Sequence, residues 1–383
     1  MSAEGWRRPA RAEISAGAIA HNARALSTVL GSTKLIAVVK ANGYGHGVVN
    51  AARAALDGGA HSLAVALVDE GVELREAGVT APILLLAETP PDTIADALAY
   101  SLTLTIGSLE GARAAVAGAT RHGGTHPVHL KVDTGMHRMG VAPGEVEGVV
   151  DVLVASTAID LEGVYTHFSV ADGASGADRT FTRSQIDGLD DVLTTLAARD
   201  VRPRVVHLAN SAGALGYPNA RRDAARVGLA LYGYLPSAWL GGALEEHGVE
   251  LRPALTLRAQ VSAVRRVRAG EAPSYGRRRA LGADSWIATV PFGYADGYPR
   301  RLFEAGAEVL INARRYPLAG TVTMDQLLID LGDDEVHVGT EVVLLGTQGD
   351  EAITADEWAR RGATISWEIL CGVGARVPRV VVA

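Results

Sequence analysis

Leu35-Ile36-Ala37-Val38-Val39-Lys40-Ala41-Asn42-Gly43-Tyr44-Gly45-His46-Gly47-Val48-Val49 holds the fold in miniature. Five apolar residues run without alternation, the pattern of a strand buried on both faces in a parallel sheet. The run ends on a lysine, passes through a glycine-rich turn and continues into a helix-like, alanine-rich segment over 48–56. The same grammar repeats along the chain. Strands are predicted over 35–40, 62–67, 82–87, 102–106, 128–132, 161–167, 205–208 and 225–230. Helical stretches such as 48–56, 69–76, 109–117 and 184–198 lie between them. Eight strand-then-helix units in about 200 residues point to a parallel (β/α)8 barrel rather than an open sheet.

Past residue 240 the pattern changes. Strand-like runs over 255–264, 286–291, 308–312, 327–330, 341–345 and 377–382 are separated by loops rich in Gly and Arg. One helix is expected there, with Thr354 as its N-cap and Asp356 and Glu357 in its first turn. The organisation predicted is a barrel over 12–240 followed by a mostly β domain over 241–383, with residues 1–11 packing against the second domain.

Composition excludes several classes. Of 383 residues, 48% are hydrophobic and 21% charged, ordinary globular proportions. The net charge of −7 argues against a nucleic-acid or anionic-membrane surface. No apolar run approaches the ~20 residues of a membrane span, and Glu4, Arg7, Arg8 and Arg11 do not read as a signal peptide. The one cysteine, Cys371, cannot form an intrachain disulfide, which fits a cytoplasmic protein; it is expected to be a small buried residue.

Lysine usage is more telling. Lys and Arg total 36, yet Lys occurs only at 34, 40 and 131. A chain so biased toward arginine keeps lysine where arginine cannot substitute, because an amine can lose its proton and act as nucleophile or base. Lys40 and Lys131 each close an apolar run. In a parallel barrel the site lies where strands end, with a phosphate often bound beyond strands seven and eight. Those ends carry Lys131-Val132-Asp133, Thr166-His167-Phe168, His207-Leu208-Ala209-Asn210-Ser211 and Arg226-Val227-Gly228-Leu229. A phosphate site beside a strand-end lysine suggests pyridoxal 5'-phosphate (PLP) held as a Schiff base. His122, His126 and His129 have metal-like spacing, but no cysteine accompanies them and no metal is expected.

The run from Val38 to Gly47 resembles the PLP-lysine signature of the alanine racemases, fold-type III PLP enzymes. The resemblance continues through Asp133-Thr134-Gly135-Met136-His137-Arg138, Ser274-Tyr275-Gly276, Gly293-Tyr294-Ala295-Asp296-Gly297-Tyr298, Met324-Asp325-Gln326 and Arg376-Val377-Pro378-Arg379, over nearly the whole chain. It implies a homodimer with shared active sites, acting on alanine as a small-molecule substrate. It also implies that Lys40 holds PLP and serves as one base, with Tyr275 of the partner subunit as the other. Arg226 would donate to the pyridine nitrogen with His167 in support, and Tyr44, Asn210, Ser211, Gly228 and Leu229 would bind cofactor at the phosphate end. Arg138 would touch both the PLP phenolic oxygen and the substrate carboxylate, and the Met324 backbone, Asp325 and Tyr294 would contact substrate, Tyr294 at the entry. Lys131 matches a family lysine that takes up CO2 as a carbamate. Ala375 stands in a stretch that supplies a phosphate-binding tyrosine in some members. The alternatives are a broad-specificity or serine racemase on the same scaffold, or a PLP-binding homeostasis protein.

Overall fold

The computed structural model describes residues 8–382. Its strands are β1 (Ala10–Ser15), β2 (Lys34–Val38), β3 (Ser62–Val65), β4 (Ile83–Glu88), β5 (Thr103–Ile106), β6 (His126–Lys131), β7 (Ile159–Tyr165), β8 (Val205–His207) and β9 (Ala224–Val227). The chain continues with β10 (Leu255–Gln260), β11 (Ala263–Val267), β12 (Ser285–Val290), β13 (Glu308–Ile311), β14 (Arg314–Pro317), β15 (Leu327–Asp330), β16 (Glu341–Gln348), β17 (Glu351–Ile353) and β18 (Arg379–Val382). Contacts divide the chain into two compact bodies.

The first body comprises Ala18–Gly43 and Val48–Arg252. Its eight strands are parallel, in the order β8-β7-β6-β5-β4-β3-β2-β9. The Asp223 N–H donates to the Val206 carbonyl at 3.1 Å and the Arg226 N–H to Ala209 at 2.9 Å, which draws β9 onto β8 and closes the barrel. β3, β5 and β9 are buried at every residue, as unbroken apolar runs require. Helices lie between the strands, including Val48–Asp57, Leu109–His122 and Gly176–Ala198. Ser108 caps the second by accepting from the Gly111 N–H, and Ser175 caps the third with Asp178 in a reciprocal capping box.

The second body takes in β1, Tyr44–Gly47 and the chain from Pro253 onward. Its larger sheet runs β14-β13-β16-β10-β1-β18, with β17 on β16, and β11-β12-β15 form a second sheet. The run expected as one strand over 255–264 is two strands in different sheets, because the chain breaks at Val261-Ser262. β1 lies in the interior of its sheet, antiparallel to β10 and parallel to β18. Ala10, Ala12 and Ile14 point inward in strict alternation, a period-two signal already present in the sequence. Of the segment 1–11 expected to pack with this domain, residues 1–7 lie outside the described residues. Thr354 caps the helix Ala355–Arg361 as expected, accepting from the Glu357 N–H at 3.1 Å. Cys371 is exposed rather than buried, since Ile369 and Leu370 take the inward positions of that short helix. Among the described residues no helix is long and apolar enough to cross a membrane.

Candidate functional site

Lys40 follows the last residue of β2 by two positions, and the chain beyond it does something unusual. Ala41, Asn42, Gly43 and Tyr44 all have φ between 52° and 60°, a left-handed turn in which three residues are not glycine. Each such residue costs ~1–2 kcal/mol, so the surroundings must hold the turn in place. Glu70 accepts the Ala41 N–H at 2.5 Å and the Ala66 N–H at 2.8 Å, and Asn42 Oδ1 accepts the Val48 N–H at 2.9 Å. Gly45 follows at φ +82°, where a Cβ would stand 2.2 Å from the Leu370 carbonyl oxygen. The turn hands the chain from the barrel body to the second body, where Tyr44 is buried and its hydroxyl is pushed above the ordinary tyrosine range by burial and by Cys371.

Inside the barrel body, Arg226 is the best-defined side chain. It is 3% exposed, yet its guanidinium faces neutral acceptors. Nη1 donates to His207 Nδ1 at 2.7 Å and to the His207 carbonyl at 2.9 Å. Nη2 donates to the carbonyls of Thr166 at 2.7 Å and Leu208 at 3.0 Å, with His167 Nδ1 at 3.3 Å. The Tyr165 ring lies 4.9 Å from its Cζ. Burial lowers its pKa to about 10, still charged at neutral pH. Arginine has five N–H groups, and these contacts occupy the four on Nη1 and Nη2. The Nε–H is the donor left over.

Lys40, Lys131 and Arg138 add positive charge around the same end. Lys131 is 6% exposed, and its amine is lowered to about 8 by burial, then by Arg226, Arg138 and Lys40. Burial and the same cations hold His167 well below its ordinary pKa, so it is neutral. Asp133, the nearby carboxylate, is spent on the N–H groups of Gly135, Met136 and His137 at 2.9–3.0 Å. Arg138 itself is exposed. At the ends of β8 and β9 two short helical segments start side by side. Asn210 caps Ser211–Gly216, and Ser211 Oγ accepts the Gly228 N–H at 2.9 Å just before Leu229–Tyr232 begins. The first N–H groups of such segments have no partner within the helix and make an anion-binding end. The residues of this region fit PLP: two helical-segment starts for a phosphate, surplus cations for anionic groups, and the Arg226 Nε–H, left over by the contacts above, for a ring nitrogen.

In the second body, Tyr275, Tyr294 and Met324 are exposed at 72%, 43% and 52%, high values for large apolar side chains. Their loops are tied together. Thr321 Oγ1 donates to the Tyr275 carbonyl at 2.9 Å, and the Tyr294 and Ala295 N–H groups donate to the Thr323 and Met324 carbonyls at 3.0 Å. Asp325 is ion-paired with Arg376 at 2.8 Å.

Sequence reasoning assigned no role to His207, Tyr165 or Glu162. The signal for His207 was its place at a strand end two residues before Ala209-Asn210. His129 lies apart from its spacing partners: it is buried in the barrel, while His126 binds the Gly123 carbonyl at an exposed turn. Among the described residues no group of three or more His, Cys, Asp or Glu is arranged to hold a metal.

Comparison with known proteins agrees across both bodies. Residues 14–236 match the family described as "Alanine racemase, N-terminal domain", and residues 254–381 match "Alanine racemase, C-terminal domain". The alanine racemase of Symbiobacterium thermophilum is 44% identical over 376 residues, 97% of each chain. Alanine racemase 1 of Bacillus subtilis is 41% identical, covering 99% of this chain and 95% of its own. The crystal structure of alanine racemase from E. faecalis superposes with a TM-score of 0.91 at 40% identity, covering 99% of both chains. The chain belongs to the alanine racemase family.

Proposed function

We propose that this chain is a PLP-dependent isomerase that interconverts L- and D-alanine with two bases, Lys40 and Tyr275 of the partner subunit. The observation that carries the reading is Arg226: a buried guanidinium on neutral acceptors, with Nε–H unspent at the rim of the barrel. PLP, when bound, acidifies the Cα–H of an amino acid attached to it. Lys40 would hold the cofactor, and the segment starts at Ser211 and Gly228–Leu229, with Asn210 as cap and Tyr44, would bind its phosphate. Arg226 would donate to the ring nitrogen from the Nε–H that its other contacts leave over. An arginine there keeps its proton, so the ring nitrogen would stay unprotonated and side reactions that need a strong electron sink would be disfavoured.

Racemisation removes a proton from one face of Cα and returns one to the other. Tyr275 Oη takes it from the L-substrate and the Lys40 amine from the D-substrate; two groups on opposite faces are the simplest way to do this. Arg138 and the Met324 N–H bind the substrate carboxylate. Asp325 holds Arg376, and Tyr294 lines the entry. Exposure of Tyr275, Tyr294 and Met324 on one tied set of loops supports a homodimer in which each subunit completes the other's site. We infer a cytoplasmic enzyme that supplies D-alanine to peptidoglycan.

Proton NMR of L-alanine in D2O with the PLP-loaded protein tests this. The Cα proton signal is expected to disappear while D-alanine accumulates in a chiral assay of the same tube. Exchange without D-alanine would remove Tyr275 from its role. No exchange by protein that carries the PLP chromophore would overturn the reading.

A further inference from the structure

Arg226 is the upper end of a longer arrangement that runs down inside the barrel. His207 Nδ1 takes its Nη1–H, and His207 Nε2 lies 2.8 Å from His129 Nδ1. His129 Nε2 in turn lies 3.4 Å from Glu162 Oε2. Glu162 opens on a cavity of about 110 Å³ at the opposite end of the barrel from Lys40, lined also by Lys34, His61 and His129. Three polar links therefore connect the guanidinium of the site to a carboxylate at the far end.

The direction of every link is forced. Arginine can only donate, so His207 Nδ1 carries no proton. A neutral His207 then has its proton on Nε2 and donates to His129 Nδ1. That leaves the His129 proton on Nε2, aimed at the Glu162 carboxylate, which can only accept. Both ends agree, so one pair of tautomers satisfies all three links. Burial and the Arg226 charge hold His207 well below its ordinary pKa, and the His129 hydrogen bond is the largest cause keeping the Glu162 carboxyl below its own.

The backbone is adapted to this arrangement. The register of β7 against β6 slips between Val128↔Leu161 and His129↔Gly163, which makes Glu162 the extra residue of a bulge beside His129. Gly163 has no side chain where a Cβ would stand 2.7 Å from the His129 ring. The Tyr165 ring stacks on His207 at 4.6 Å and 11°, held by its hydroxyl against Thr105 at 2.9 Å. Among the described residues no carboxylate is paired directly with Arg226.

We infer that Glu162 and His129 are positioning residues for the reaction: through His207 they lock the imidazole tautomer that accepts from Arg226 Nη1, which leaves the Arg226 Nε–H aimed at the cofactor ring. The functional half of this inference rests on the reading above; the tautomer half does not. Without Glu162, His129 can carry its proton on Nδ1. His207 then has to turn a proton toward Arg226, donor facing donor, and the guanidinium shifts.

The test combines a spectroscopic and a kinetic reading. Long-range 1H–15N correlation of the 15N-histidine-labelled protein, with and without PLP, reports which ring nitrogen carries the proton; His129→Gln and His207→Asn assign the signals. Both rings are expected to be neutral with the proton on Nε2 in the natural protein. Glu162→Leu should release the His129 tautomer and lower kcat for alanine about tenfold at unchanged KM, the low end for losing an outer-shell partner. Glu162→Gln keeps an acceptor and should restore most of both. Gly163→Ala, which pushes the His129 ring away, should reproduce Glu162→Leu. A proton on Nδ1 of either ring in the natural protein overturns the relay, as do tautomers that Glu162→Leu leaves unchanged. Released tautomers with kcat unchanged overturn the positioning role. Natural protein that carries PLP and the stated tautomers yet fails to racemise alanine refutes the functional reading and supports the relay.

Discussion

Lys131 offers the sharpest chemical test of the barrel end. Burial and the charges of Arg226, Arg138 and Lys40 bring its amine from the ordinary 10.5 to about 8. At pH 7 about one molecule in ten then carries a neutral amine, against ~1 in 3,000 at the ordinary value. The ~300-fold gain matters because CO2 adds only to the neutral amine, forming an N–C bond and releasing one proton to leave an anionic carbamate. Such an anion would sit among surplus cations and hold Arg138, a task no arginine at this position could perform. The stability linkage has a definite sign. A lysine whose folded pKa lies below its unfolded one binds fewer protons when folded, so its contribution rises between about pH 8 and 10.5 and is flat below. Selective 13Cε-lysine labelling yields three signals from this chain, assigned with Lys34→Arg and Lys40→Arg, so the Lys131 midpoint can be read directly in cofactor-free protein. Addition of 13C-bicarbonate near pH 8 should produce a carbamate carbon that Lys131→Arg abolishes. A Lys131 midpoint above 10, or a carbamate signal indifferent to Lys131→Arg, would refute the reasoning.

Further substitutions probe the other parts. Tyr275→Phe should slow conversion of L- to D-alanine by ~10²–10⁴-fold, the usual worth of a positioned acid or base, while deuterium exchange at Cα of D-alanine continues; equal loss of both exchanges would remove the two-base assignment. Arg226→Lys strands His207 Nδ1 and several carbonyls in the interior, at ~1–3 kcal/mol for each buried group left unsatisfied, so the melting temperature should drop clearly in cofactor-free protein; an unchanged melting curve would contradict the hydrogen-bond assignment. Gly45→Ala places a methyl 2.2 Å from the Leu370 carbonyl oxygen at φ +82° and should destabilise the fold by at least the ~1–2 kcal/mol of a left-handed residue; full stability by thermal denaturation would mean that the Leu370 turn yields freely.

Much of the architecture was legible in the chain itself. The eight barrel strands announced themselves as short apolar runs because a parallel sheet covered on both faces tolerates little else. Lys40 and Lys131 stood out because arginine had replaced lysine nearly everywhere it could. Thr354 marked its helix because the capping chemistry is local. Where the sequence misled, the cause was local as well as tertiary: the apolar run through β10 and β11 gave no sign that two sheets divide it, and Cys371 turned outward because its neighbours filled the interior.

Tertiary structure alone decided the rest, because these features are pairings between residues far apart in the chain. β1 is held by partners far along the chain, β10 some 240 residues on and β18 some 367, which no periodicity can name. The left-handed turn after Lys40 exists because Glu70 and Asn42 hold it against its own steric preference. The line from Arg226 through His207 and His129 to Glu162 joins four strands across the barrel interior. Residue type at each position can show what chemistry is available there. Which donor meets which acceptor, and which N–H of Arg226 is left to act, is settled by closure of the sheet that brings β6, β7, β8 and β9 around one axis.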